Sequence, residues 1–188
     1  MFPSKLTPKL RLWPKMVNIG LTFTIRPRQN RKAKRMSKTL ENASDIELQA
    51  IIEQEKASSR PGSEFTGLSL PHVIHELAKR LVGKLTDTNI SCVISCESES
   101  DVLSYEIARQ LDARGVRMWE DLGRFYCDHE FKADDRALLV IVDSDRDVLV
   151  DAAKTITSNT GANLVALITL DSSISRDDIP QVSFPFAS

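Results

Sequence analysis

The sequence predicts an α/β domain: a mostly parallel, doubly wound sheet with helices on both faces, preceded by a basic leader. Three observations predict it. Short apolar runs alternate with stretches of helical period from about residue 69 onward. The run Ala137-Leu138-Leu139-Val140-Ile141-Val142 is continuously apolar rather than alternating, the signature of a strand covered on both faces. Two of the apolar runs end in an acidic, serine-bearing turn that leads into a helix-like stretch. At 188 residues the chain is long enough for one domain with a substantial core.

Charge divides the chain. Residues 1–40 carry 11 Lys and Arg and no Asp or Glu, whereas residues 41–188 carry 14 Lys and Arg against 26 Asp and Glu. A body this acidic is a poor nucleic-acid ligand, because phosphates reward clustered cations, so any nucleic-acid contact is expected through the leader alone. That leader contains Pro3, Pro8, Pro14 and Pro27, and its one apolar stretch, Met16 to Ile25, is interrupted by Asn18 and Gly20. It is too short and polar to span a bilayer and lacks the apolar centre of a secretory signal, so no membrane association is expected. We expect residues 1–40 to be a disordered leader, with Met36 as an alternative start. The expected location is the cytoplasm, or a mitochondrion or plastid if residues 1–35 act as a transit peptide.

Residues 41–66 read as a short helix and a linker. Ser44-Asp45-Ile46-Glu47 matches a capping box and opens an amphipathic helix to about Lys56, and Ser58-Ser59-Arg60-Pro61-Gly62-Ser63 breaks it. The α/β domain is expected over 67–188. Its first helix is predicted with Ser69 as cap, Pro71 in the first turn, and Val73, Leu77, Leu81 and Leu85 on the buried face. A strand follows over Ile90 to Cys96, then a helix over Val102 to Leu111 with its stop near Gly115, then an extended Val116 to Trp119. After the apolar strand at 137–142, a helix is predicted from Asp147 to Ser158 with a stop near Gly161. Leu164 to Leu170 and Gln181 to Phe184 are the last strands.

In a sheet of this kind ligands sit at the carboxyl ends of the strands. The acidic turns Cys96-Glu97-Ser98-Glu99-Ser100-Asp101 and Asp143-Ser144-Asp145-Arg146-Asp147 both lie there. Other reactive residues point to structural roles. His72, His75 and His129 have no Cys or carboxylate partners at zinc spacing. Cys92, Cys96 and Cys127 form no metal or redox motif and suit a reducing compartment. Ser95 and Ser100 lack a nucleophile elbow. Asp145 or Asp147 suits a helix cap.

Val93 to Leu111, with Tyr105-Glu106-Ile107-Ala108-Arg109-Gln110-Leu111 at its core, resembles the loop and helix after the first core strand of type I phosphoribosyltransferases, the orotate enzymes in particular. Phe131 to Asp143 resembles the approach to that family's strand ending in paired acids, Thr160 to Leu167 its next helix stop and strand, and Ile179 to Phe184 its closing strand. The resemblance spans about Leu70 to Phe184. It implies Glu99, Ser100, Ser144 and Arg146 as ligand-binding positions for a nucleotide or sugar phosphate. It implies Asp143 and Asp145 as the catalytic acids and Mg²⁺ ligands of an active enzyme, and a homodimer or another protein as partner; Trp119, Phe125, Tyr126 and Phe131 fall where the family places base-contacting or flap residues. The departures fall on the phosphate loops. Glu99-Ser100 stands at the place of glycines, flanked by Glu97 and Asp101, and the second loop is short and has no Gly or Thr. Each such carboxylate opposes a pyrophosphate by roughly 1 to 4 kcal/mol. The expected function is therefore a catalytically degenerate phosphoribosyltransferase-like module for ligand binding or protein interaction, without a firm cofactor. The alternatives are an active orotate-type transferase using phosphoribosyl diphosphate and Mg²⁺, and a sugar isomerase (SIS) type phosphosugar-binding domain using Ser95, Ser98, Ser100 and Ser144.

Overall fold

The computed structural model describes residues 40–58, 68, 70–86, 89–96, 98–142, 147–170 and 176–184. The expected leader, the linker after Ser58, Ser69 and the turn 143–146 lie outside the described residues. The elements in chain order are α1 (Asp45–Ser58), α2 (Pro71–Lys84), β1 (Cys92–Cys96), α3 (Ser98–Leu111), β2 (Arg114–Asp121), β3 (Arg124–Cys127), β4 (Arg136–Ile141), α4 (Asp147–Thr160), β5 (Asn163–Thr169) and β6 (Gln181–Ser183). Six strands form one sheet in the order β3-β2-β1-β4-β5-β6. All neighbours are parallel except β2 and β3, which form an antiparallel hairpin.

Strand alternation sends side chains into two cores. Val93, Leu138, Val140, Ala166 and Ile168 pack on one face with Leu77 and Leu81 of α2 and Leu103 and Ile107 of α3. Ile94, Leu139, Ile141 and Leu167 pack on the other with Leu149, Val150 and Ala153 of α4, joined by Val116 and Met118 of β2. Leu48 and Ile52 place α1 on the first of these cores. Helices therefore cover both faces, as the unbroken apolar run of β4 requires. The direction of winding reverses between the parallel strands β1 and β4: β1-α3-β2 leads to one edge and β4-α4-β5 to the other. In open α/β sheets a reversal of this kind marks the crevice where ligands bind, here at the carboxyl ends of β1 and β4.

The ends of the helices follow local chemistry. Ser44 and Glu47 form the expected capping box, the Ser44 amide donating to Glu47 Oε2 at 2.6 Å and the Glu47 amide to Ser44 Oγ at 3.2 Å. In α2 the cap position is Leu70, with no side-chain cap, and Pro71 opens the helix as expected because its fixed φ suits the first turn. The stop of α3 is Asp112, at φ 53, with the Ala113 amide donating to the Ala108 carbonyl at 2.9 Å. This corrects the expected stop at Gly115, which lies inside β2. Aspartate tolerates the left-handed region because its short polar chain bonds locally. Gly161, at φ 84, ends α4 as expected, and the Ala162 amide donates to the Thr157 carbonyl at 3.0 Å. A Cβ there would sit 3.2 Å from Ala133 Cβ.

Candidate functional site

The strand-to-helix turn after β1 is shorter than its composition implies. Helix α3 begins at Ser98, four residues before the expected Val102, so only Glu97 separates it from β1. The expected acidic loop is mostly the first turn of a helix. Serine and acidic residues suit that place, because free amides and the positive end of the helix dipole favour them. Glu99 and Ser100 thus stand in the opening turn of α3. The Ser100 hydroxyl is buried; it accepts from the Cys96 amide at 3.0 Å and donates to the Cys96 carbonyl at 2.6 Å. Both polar main-chain groups of the last β1 residue are thereby engaged by this one side chain.

Beside that turn, β1 and β2 are in register with Ser95 opposite Arg117. Asp101 reaches down from α3 and joins them. The Ser95 hydroxyl donates to Asp101 Oδ1 at 2.7 Å, and Arg117 Nε lies 3.3 Å from Asp101 Oδ2. Ser95 is buried, at 7% exposure, whereas the side chains of Arg117 and Asp101 are 52% and 33% exposed. Arg117 was not among the expected ligand positions, Ser95 was expected to bind only in the sugar isomerase alternative, and Asp101 only as a flanking acid. The three come from three different elements, which no single stretch of sequence displays.

The other expected site residues, Asp143, Ser144, Asp145 and Arg146, lie outside the described residues, as does Glu97. Among the described residues there is no group of three or more His, Cys, Asp or Glu side chains able to hold a metal ion. No helix among them is long and apolar enough to cross a membrane.

On the far edge of the crevice, β2 runs into β3 through a two-residue turn in which Leu122 and Gly123 both have positive φ, the twist that matches a hairpin. Leu122 is 96% exposed at its tip. Trp119 and Tyr126 face each other across the hairpin, stacked with ring centroids 6.1 Å apart, and both remain partly exposed. Phe131 is buried on the opposite face of the sheet, with the Arg114 guanidinium 5.9 Å from its ring centroid.

The amino ends of the strands hold a second polar cluster. Asp135 accepts from the Ser91 hydroxyl at 2.8 Å, from the Lys132 amide at 2.7 Å and from Arg114. Burial alone would raise its pKa, but the Lys132 amide, Ser91 and Arg114 together hold it below the usual carboxylate range. Between α2 and α3, Glu106 accepts from Arg109 and Gln110 and lies 2.7 Å from His75 Nδ1. The Arg109 guanidinium, with help from Gln110 and His75 and against partial burial, holds its carboxyl down to about 2. Burial, with the Asp135 charge behind it, pushes the Cys92 thiol up to about 11, and burial likewise pushes Cys127 up to about 11. Both thiols are therefore almost wholly protonated at neutral pH and are poor nucleophiles.

No family model matches the sequence, and no curated protein matches it. Solved structures do. The adenine phosphoribosyltransferase from Rhodothermus marinus aligns with a TM-score of 0.52 and 18% identity, over 71% of this chain and 97% of that one. UMP synthase from Leishmania donovani aligns with a TM-score of 0.52 and 10% identity over 75% of this chain; the match spans only 36% of that longer protein. The adenine phosphoribosyltransferase from Thermoanaerobacter pseudethanolicus aligns with a TM-score of 0.50 and 13% identity, over 60% of this chain and 79% of that one. Identities this low speak to architecture and not to activity. The chain has the type I phosphoribosyltransferase fold.

Proposed function

We propose that this phosphoribosyltransferase-like domain has lost efficient phosphoribosyl transfer and serves as a ligand-binding or protein-interaction module. The ligand class that suits its fold is a nucleotide or a sugar phosphate bound at the crevice between β1 and β4. One observation carries the reading: the amide and carbonyl of the last β1 residue, Cys96, are both taken up by the Ser100 hydroxyl. A pyrophosphate is held by main-chain amides that approach it without side chains in the way. Here the Cys96 amide is engaged by Ser100, and the carboxylate of Asp101 stands beside it. A negative side chain at that place opposes a doubly charged group more strongly as water is excluded.

An active enzyme would use Asp143 and Asp145 to hold Mg²⁺ and to stabilise the developing ribose cation. The test is release of pyrophosphate from phosphoribosyl diphosphate with adenine or orotate and Mg²⁺. No release above background is expected. Turnover that disappears in Asp143→Asn and Asp145→Asn would overturn the proposal. A thermal-shift screen of nucleotides and sugar phosphates separates the two module roles, since a ligand at a hundred times its Kd adds roughly 2.7 kcal/mol. A stabilising ligand supports the binding role; no shift in a protein that sediments as a dimer supports the interaction role; no shift in a monomer overturns both.

A further inference from the structure

We propose that Asp101 is an internal anion: its carboxylate occupies a subsite for a phosphate-type group that Ser95 and Arg117 form at the carboxyl ends of β1 and β2. The inference rests on the proposed function and names an anion the chain already holds beside the crevice, on the β2 side of β1.

The geometry is that of a held oxyanion. Asp101 presents its two oxygens to two different donors, Oδ1 to the Ser95 hydroxyl at 2.7 Å and Oδ2 to Arg117 Nε at 3.3 Å. Two oxygens of a phosphate or pyrophosphate demand the same arrangement, a neutral hydroxyl donor and a cationic planar donor side by side. The donors are built in. Ser95 is 7% exposed and one residue from the end of β1, and the strand register fixes Arg117 directly opposite it. The anion is less firmly held. Asp101 is 33% exposed and Arg117 52%, so water competes for both and the pair contributes little to stability. No other carboxylate is paired with the Arg117 guanidinium among the described residues. Its main chain is secured separately, the amide donating to Asp128 Oδ1 at 2.9 Å and the carbonyl accepting from the Asp128 amide at 3.0 Å. Removing the Asp101 charge would therefore leave a positioned cation beside a buried hydroxyl, at the opening of α3 where the helix dipole also favours an anion.

The Ser98–Leu111 helix holds Asp101 in place from its own side. With only Glu97 between β1 and α3, the first turn of the helix is pinned over the strand end, and the Ser100 bond to Cys96 fixes its rotation. Asp101 is then the helix residue aimed at β2.

The test titrates inorganic pyrophosphate, and separately inorganic phosphate, into the full chain by calorimetry at low ionic strength. Wild type is expected to bind neither in the millimolar range. Asp101→Asn, which keeps an acceptor for Ser95 but drops the charge, should bind pyrophosphate at least tenfold more tightly than wild type. Asp101→Ser serves as the second neutral variant if the first is poorly folded. Adding Arg117→Gln to either variant should abolish the gain. A stronger response to pyrophosphate than to phosphate identifies a diphosphate subsite, and an equal response a single-phosphate one. Equal affinity in wild type and both neutral variants, no binding to any of them, or a gain that survives Arg117→Gln would each overturn the inference. These failures are distinct from failure of the proposed function, which is read from turnover by the wild-type protein.

Discussion

At each end of the β1–β2 pair a serine and an arginine meet an aspartate from a neighbouring segment, Asp135 before β4 and Asp101 on α3, in two unlike environments. At the amino ends Ser91 and Arg114 meet Asp135, whose side chain is 6% exposed and which also accepts from the Lys132 amide. At the carboxyl ends Ser95 and Arg117 meet Asp101, a third exposed and with those two partners. The chemistry is shared and the solvation is not. A buried carboxylate with a full set of donors is costly to disturb, because whatever is removed leaves a charge or a donor without a partner away from water. A half-solvated carboxylate can leave, because water takes its place. The lower cluster thus fixes the sheet and the upper one is exchangeable.

The largest expected effect breaks the lower cluster. Asp135→Ala leaves Arg114 and Ser91 without their acceptor and should destabilise the fold by about 3 kcal/mol, read as a shift in the urea midpoint. A loss under 1 kcal/mol would show that the two clusters do not differ in kind. Gly161→Ala comes next. It places a side chain at φ 84 and against Ala133, and should cost about 1 to 2 kcal/mol, which would test how rigidly α4 is seated below the crevice. Glu106→Gln weakens a tie between α2 and α3 that is itself partly exposed, so about 1 kcal/mol is expected in thermal unfolding. Asp101→Asn should change stability least, by about 0.5 kcal/mol in either direction, even though it is expected to change ligand response most.

Acid sharpens the same contrast. Asp135 and Glu106 both have folded pKa values below their unfolded ones, so each binds fewer protons when folded than when unfolded in that range. Their stabilisation is complete above about pH 4.5, the upper unfolded carboxylate value, and is lost as pH falls toward the folded values, about 2 for Glu106. Wild type should therefore lose stability on acidification from pH 4.5 toward 2. In the double variant Asp135→Asn, Glu106→Gln that slope, followed by chemical denaturation at a series of pH values, should be visibly shallower.

Much of this architecture was legible in the sequence, and the exceptions have local causes. The run at Ala137 to Val142 marked a central strand because both faces are covered, and Gly161 marked a helix end because few other residues accept its backbone angles. The start of α3 was hidden. Ser98, Glu99, Ser100 and Asp101 read as a solvated loop by composition, yet the same residues are favoured in a first helical turn. Asp112 ended that helix in place of the expected Gly115, since an aspartate stop has no distinctive spacing. Strand β3 was missed because Leu122 masks a turn that an asparagine would have advertised. At the site, the sequence displayed the acids after β1 but not their orientation. Whether a carboxylate faces a ligand or its own chain depends on Ser95 of β1 and Arg117 of β2, which the fold sets side by side beneath the start of α3.

The cysteines give the molecule a built-in opening counter. With the Cys92 and Cys127 thiols pushed up to about 11, on the order of one in ten thousand is ionised at pH 7, so these two sulfurs react slowly with alkylating reagents while the sheet is closed. Cys92 lies in the central strand β1 and Cys127 on the edge strand β3, on the same core face. Labelling that reaches Cys127 first would record the hairpin peeling away, and simultaneous labelling would record the whole sheet coming apart at once.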